Sequence, residues 1–327
     1  MKLGISSCLL GTTCRYDGGH SRDKFIVNEL SNYFDFEAFC PERLVFPTPR
    51  PAIRLVRSNG EVTIRTSNDN EDVTDTITEI SKELVKKIED NQLCGFILKS
   101  KSPTCGMERV KIYPDKKNGQ SENVGVGVFA KELKERFPYL PIEEEGRLGD
   151  PWLRENFLMQ VFAYKSLFEF LEKNPNINDL VEFHTSYKYL IYAKSHNAYK
   201  ELGNVVANRD KKTLETILEE YKELFLKTIA QKGTINNTYN VLLHIYGYFK
   251  KVISKEEKDD ILETLEDFKK GIVPLIAVIK IIKLYTNKFD IEYLKTQVFI
   301  NPYPKDLALR SKVEAYRWNK YFGLEEI

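Results

Sequence analysis

Five cysteines, Cys8, Cys14, Cys40, Cys94 and Cys105, lie in the first third of a 327-residue chain, and none follows. An odd count confined to one region does not suit a disulfide framework. Cys94 sits in the apolar run Leu93-Cys94-Gly95-Phe96-Ile97-Leu98 and reads as a core thiol. Cys8, Cys40 and Cys105 differ: each stands among Ser, Pro or Gly, at or beyond the end of an expected strand. No CxxC pair is present, so a zinc finger is not indicated. Three thiolates from three strand ends suit an iron–sulfur cluster, which is normally held by four. With three, one iron stays open to a substrate. A closed site completed by Cys14 or His20 is the competing arrangement.

Positioning three such residues requires an architecture. Residues 2–7 and 34–40 read as short buried strands, with an expected helix over 22–33 between them. Residues 44–70 contain Pro47-Thr48-Pro49-Arg50-Pro51 and then polar turns with room for short strands. An amphipathic helix is expected over 71–92, with Val73, Ile77, Ile80, Leu84 and Ile88 at helical spacing. A third buried strand follows at 93–98 and a further helix at 127–137. Strands alternating with helices imply an α/β domain with a mainly parallel, Rossmann-like sheet. Ligands bind such sheets at the carboxyl ends of the strands, the edge to which all three loop cysteines belong.

After Gly149-Asp150-Pro151 the pattern becomes helical almost to the end. Helices are expected near 151–173, 177–201, 210–231, 236–252, 256–268, 271–286 and 289–297. Asp150 before Pro151 is a helix start, an N-cap followed by proline. The expected organisation is an α/β domain over 1–150 and an all-α domain over 151–327.

The chemistry-bearing blocks then resemble a known family. Gly4-Ile5-Ser6-Ser7-Cys8-Leu9-Leu10-Gly11, Cys14-Arg15-Tyr16-Asp17-Gly18-Gly19-His20, Cys40-Pro41-Glu42, Pro47-Thr48-Pro49-Arg50-Pro51 and Lys99-Ser100-Lys101-Ser102-Pro103-Thr104-Cys105-Gly106-Met107 resemble the DUF523, or thiouracil desulfidase, family. His184-Thr185-Ser186-Tyr187-Lys188 and Ala193-Lys194-Ser195-His196 with Tyr199, Leu202 and Gly203 resemble the DUF1722 (YbgA-like) domain. So do His244, Gly247, Tyr248 and Lys250. The fusion is similar to tRNA 4-thiouridine desulfidases. The resemblance implies a [4Fe–4S] cluster on Cys8, Cys40 and Cys105, with Glu42 and Ser102 as catalytic residues. It leaves Cys14 as a spare thiol and implies a hydrolytic, non-redox reaction that releases hydrogen sulfide.

Around that centre, Ser100 competes with Ser102 for one role, and Arg15, Asp17, Arg50 and Arg54 are candidates to position a base or phosphate or to brace the loops. In the helical half, His184, Lys188, Tyr192, Ser195 and Tyr199 fall near one face of the expected 177–201 helix, with His196 off it. A polar, aromatic and cationic face suits RNA with stacked bases; His184, Lys188, His196 and Tyr199 are the candidate contacts.

Charge sets bounds. The chain carries 49 Lys+Arg against 48 Asp+Glu, which excludes a globally basic nucleic-acid binder. Residues 1–180 are net −3 and residues 181–327 net +4, the sign expected if the second half meets phosphates. No apolar run reaches ~18 residues, so no membrane span is expected. Met1-Lys2-Leu3-Gly4-Ile5 has no long apolar stretch of signal-peptide type, so a cytoplasmic location is expected. The expected partner is tRNA, with no membrane and no obligate protein partner. Desulfuration of free thiouracil or a thionucleotide is the second reading. A sulfur-delivering enzyme and a non-catalytic iron–sulfur RNA-binding or stress-sensing protein are the others.

Overall fold

The computed structural model describes residues 1–89, 92–115, 119–208 and 210–308. The end of the expected 71–92 helix and the end of the expected 151–327 domain lie outside the described residues. The chain divides into two compact units. Among the described residues, the first contains Met1–Leu133, Ile142–Phe157 and Tyr303–Ala308; the second contains Lys134–Pro141 and Leu158–Pro302.

The first unit is α/β, as its alternating pattern requires. β1 (Lys2–Ser6) places Leu3 and Ile5 at 0% exposure. It pairs in parallel with β2 (Asp35–Phe39) on one side and β5 (Phe96–Leu98) on the other. β5 pairs in parallel with β8 (Ile142–Glu144), giving the order β2-β1-β5-β8. The chain leaves β1 for β2 on one side and leaves β5 for β8 on the other. The sheet therefore has a switch point at the carboxyl ends of β1 and β5, where such sheets open a crevice.

A second sheet was only partly legible as possible short strands. β3 (Ile53–Ser58), β4 (Glu61–Thr66), β6 (Val110–Pro114) and β7 (Glu122–Gly125) are ordered β4-β3-β6-β7. β3 and β6 run parallel, and the outer pairs are antiparallel. Ile53, Leu55, Ile64, Val110 and Ile112 pack there with Val73 and Ile77. Ile77 belongs to α3 (Thr74–Ile88), which starts three residues later than the expected 71–92 helix. The expected helix over 22–33 is instead α1 (Lys24–Asn28) and a 3-10 turn at Leu30–Asn32. α2 (Pro41–Val45) follows β2 directly, with Cys40 as the extended N-cap and Pro41 in the first turn. α4 is Val128–Arg136.

An aromatic group under the first sheet fixes its strands. Phe39 of β2 lies 5.3 Å from Phe96 of β5, and Phe129 of α4 lies 5.6 Å edge-on to Phe96. Rings at these separations add to the apolar burial of each partner. They hold together the strand carrying Cys40 and the strand that leads to Cys105.

The second unit is helical. α5 (Pro151–Leu171), whose first seven residues belong to the first unit, starts as expected, with Asp150 Oδ1 accepting from Leu153 N at 3.0 Å. α6 (Ile177–Lys194) begins on an Asn176/Asp179 capping box. It ends at Lys194, not at 201. Ser195 turns extended (φ −156°, ψ 120°) and its side chain accepts from Ala198 N to cap α7 (His196–Ala207). One expected helix is therefore two, because serine at a cap is worth more than serine inside a helix. α8 (Leu214–Ile229), α9 (Ile235–Tyr246), α10 (Lys255–Lys269), α11 (Leu275–Lys288) and α12 (Glu292–Lys295) complete the unit. Thr213, Thr234 and Ser254 cap three of them through side-chain oxygens. Phe183, Tyr187, Tyr221 and Phe225 form its aromatic core. Among the described residues no helix is long and apolar enough to cross a membrane.

Candidate active site

The carboxyl ends of β1, β2 and β5 deliver their loops into one cavity of about 370 Å³. Cys8, in the 3-10 turn after β1, Cys40, at the end of β2, and Cys105, in the loop after β5, all line it. Cys14 lines it as well, at 2% exposure. Cys94 is buried elsewhere in the core, as expected.

The thiols interact directly. Cys14 is electrostatically coupled to both Cys40 and Cys8. The interaction with Cys40 favours its thiolate, but the interaction with Cys8, burial and the neighbouring Cys8 charge outweigh it, so the Cys14 pKa rises to about 11. The interaction with Cys14, then burial, pushes the Cys40 thiol up. Burial, then the charge of Glu42, pushes the Cys105 thiol up. Without a cation the Cys14, Cys40 and Cys105 sulfurs hold their protons; a bound cationic group must displace them from its ligands.

The loop carrying Cys105 is tied down on several sides. Ser102 Oγ accepts from Thr104 N at 3.2 Å and from Cys105 N at 3.1 Å. Gly127 N donates to Gly106 O at 2.7 Å, and Ala130 N donates to Thr104 O at 3.2 Å. This brings the start of α4 onto the loop so closely that a Cβ on Gly127 would lie 2.4 Å from Thr104 O.

Glu42, in the first turn of α2, faces that loop. Its Oε1 accepts from Thr104 Oγ1 at 2.6 Å and from Ser102 Oγ at 3.3 Å, while Oε2 is ion-paired to Arg50. Both Arg50 and Glu42 are largely buried, with side chains 4% and 12% exposed. A carboxylate has about four acceptor positions, so three donors leave room for one more.

The two loop serines separate. Ser102 meets Glu42. Ser100 donates from Oγ to Glu145 Oε1 at 2.8 Å and from its amide to Oε2 at 2.7 Å, beside the Lys99–Glu145 ion pair. Both serines line the cavity. Arg15 lines it too, held by Ser21 Oγ at 3.0 Å and Asp17 at 3.4 Å. Asp17 is not on the cavity wall. It accepts from Gly19 N, and this bond, then Arg15, holds its carboxyl below the usual range. Thr104 and Cys14 are the residues that sequence reasoning under-weighted. Thr104 had only its position next to Cys105 as a signal.

The helical candidates gather on the second unit. Tyr192 and Tyr199 stack at 5.5 Å despite the break at Ser195. His196, expected off this face, lies 4.8 Å from Tyr192, and His244 of α9 lies 5.4 Å from it. His196 and His244 are exposed. Lys188 sits near the rings of Tyr189 (5.6 Å) and Tyr293 (5.9 Å). His184 is half-buried against Tyr221, 3.3 Å from its hydroxyl, and burial, then the charge of Lys188, lowers its pKa to about 4.

Among the described residues no group of three or more His, Cys, Asp or Glu is drawn together tightly enough to hold a single metal ion. An all-thiol donor set around a cavity fits a larger, soft metal group better.

With this geometry in view, comparison with known proteins places the chain. Residues 3–145 match the family model for 2-thiouracil desulfurase, and residues 188–304 match that of DUF1722, a protein family of unknown function. A relative, YbbK of Bacillus subtilis (strain 168), is 31% identical over 137 residues, covering 40% of this chain and 88% of the relative. YbgA of Escherichia coli (strain K12) is 25% identical over 157 residues, covering 48% of this chain and 93% of the relative. A solved structure of a [4Fe-4S]-dependent thiouracil desulfidase, TudS (DUF523Vcz), is 26% identical and matches 45% of this chain and 93% of that one, with a TM-score of 0.37. The chain belongs to the 2-thiouracil desulfurase family and carries a DUF1722 region after that domain. It is an enzyme of the desulfidase class, of thiouracil type.

Proposed function

We propose that the protein is a [4Fe–4S]-dependent hydrolytic desulfidase that converts 4-thiouridine in tRNA to uridine and releases hydrogen sulfide. The observation that carries this reading is the convergence of Cys8, Cys40 and Cys105 from three strand ends on one cavity that also contains Glu42. These three would hold the cluster, and Cys14 would remain a neighbouring thiol. Bound there, the cluster supplies a soft Lewis acid that draws electron density from the thiocarbonyl sulfur. The protein's own groups do the rest. Glu42 takes the proton of a water aimed at the ring carbon, using its remaining acceptor position. Arg50 and Thr104 fix the direction of that carboxylate, and Ser102 makes the longer bond that yields to substrate or water. Ser100, Arg15 and Arg50 shape the wall around the base. Water in and sulfide out balance without electrons, so no reductant is consumed.

The tRNA part of the reading rests on the second unit. Tyr192, Tyr199, His196, His244 and Lys188 form an aromatic and cationic surface, the combination that grips exposed bases and phosphates. A base in folded RNA must leave its stack to react, at a cost of a few kcal/mol that other contacts supply. The test is anaerobic reconstitution with iron and sulfide, then incubation with tRNA bearing 4-thiouridine and, separately, with free thiouracil. Loss of thiocarbonyl absorbance from tRNA is the expected result. Loss from thiouracil alone would restrict the reading to free bases, and loss from neither would end it.

A further inference from the structure

A second cavity of about 770 Å³ adjoins the thiol cavity within the first unit. Ile53, Ser100, Lys101 and Pro103 line both, so they form a common wall. The reaction derived above needs room for one pyrimidine ring, and the second cavity is about twice the size of the first. Its lining is cationic: Arg54, Lys101, Arg109, Lys111 and Arg147 stand against Glu108 and Glu144. Arg147 is committed to Glu143 at 2.6 Å and Glu108 at 2.5 Å. Lys101 and Lys111 are exposed, and Lys101 is held in the left-handed region at φ 60° on the shared wall. Arg54 of β3 lies over the ring of Tyr113 of β6, its Cζ 5.6 Å from the centroid. Its Nη2 donates to Asn70, while its Nε is buried with no acceptor. An arginine–tyrosine stack in a cationic wall is a surface for a nucleobase and its phosphate.

We propose that this second cavity seats the nucleotide flanking the thiolated one in an RNA strand. Arg54 and Tyr113 take its base, and Lys101 meets the phosphate that joins the two nucleotides. The inference rests on the desulfidase reading for the identity of the reacting base, and deepens it: the preferred substrate is at least two linked nucleotides.

The test uses the full chain, reconstituted, and unthiolated product-form ligands, so it needs no turnover. Calorimetric titration compares uridine 5′-monophosphate with the dinucleotide UpU and the trinucleotide UpUpU. UpU is expected to bind about tenfold or more tighter than the mononucleotide, the scale of one stacked base. Arg54→Gln and Tyr113→Leu are each expected to remove most of that gain, and Lys101→Gln to weaken its salt dependence. Equal affinity for one and two nucleotides, no measurable UpU binding, or a gain that survives both Arg54→Gln and Tyr113→Leu would overturn the proposal. Failure of the desulfidase reading shows separately, as absence of sulfide release from any thiolated substrate.

Discussion

Thr104 Oγ1 donates to Glu42 Oε1 at 2.6 Å, joining the loop after β5 to the helix after β2. The bond spans two of the three strand ends that carry the loop cysteines. It therefore fixes the carboxylate relative to Cys105 and Cys40 together. Thr104 is fully buried, so its hydroxyl has no water to turn to instead.

Glu42→Gln keeps the size of the side chain and removes its basicity, at the cost of the ion pair with Arg50 and of one acceptor oxygen. Turnover is expected to fall about 10²–10⁴-fold, the contribution typical of a positioned general base, with iron content unchanged. Steady-state sulfide release paired with iron analysis checks this. Full activity in the variant would remove Glu42 from the role of base.

Thr104→Val deletes one donor to a charged acceptor, worth about 1.5–3 kcal/mol, and is nearly isosteric. The expected result is a lower kcat with cluster content retained. A variant as active as the parent would show that Arg50 and Ser102 suffice to position Glu42.

Cys8→Ala, Cys40→Ala and Cys105→Ala are each expected to lose the cluster, read as iron and acid-labile sulfide per chain after anaerobic reconstitution. Cys14→Ala is expected to keep it, although Cys14 lines the same cavity as Cys8 and Cys40. Iron loss in Cys14→Ala would mean a closed, four-thiolate site and would remove the open position for substrate.

Gly127→Ala tests the packing that supports the Cys105 loop. The added Cβ would meet the Thr104 carbonyl oxygen at 2.4 Å, so the loop or α4 must shift. The expected outcome is a lower melting temperature and impaired cluster loading. Normal loading would show that the loop position is set elsewhere.

The helical unit carries a pH-dependence of its own. His184 has a folded pKa lowered from 6.5 to about 4 by burial, then by Lys188. Between those values the unfolded chain binds more protons than the folded one, so stability falls as pH drops from about 6.5 toward 4 and is fully present above that window. Melting temperatures across this range should flatten in His184→Gln. An unchanged slope would assign the dependence to other groups.

Much of the site was legible because its chemistry is local in sequence. Each loop cysteine follows a strand whose apolar residues announce it, and parallel pairing brings strand ends to one edge. The strand pairing that defines the second sheet was not legible. β7 exposes most of its four residues and carries no alternating pattern, and β6 alternates only over Val110-Lys111-Ile112. The Ser195 break was hidden because apolar periodicity runs through it while the cap bond to Ala198 leaves no periodic trace. The roles of Ser100 and Ser102 look alike in the chain. They were separated only by which carboxylate each meets, Glu145 or Glu42.

The central claim is that water replaces sulfur on the uracil ring without electron transfer. The direct measurement is turnover of 4-thiouridine tRNA by the reconstituted protein in ¹⁸O-labelled water, without any reductant. Sulfide and product nucleoside are followed together by mass spectrometry. The account predicts one labelled oxygen in the uridine formed and sulfide released in equal amount. Unlabelled uridine, or desulfuration that starts only when an electron donor is added, would contradict it.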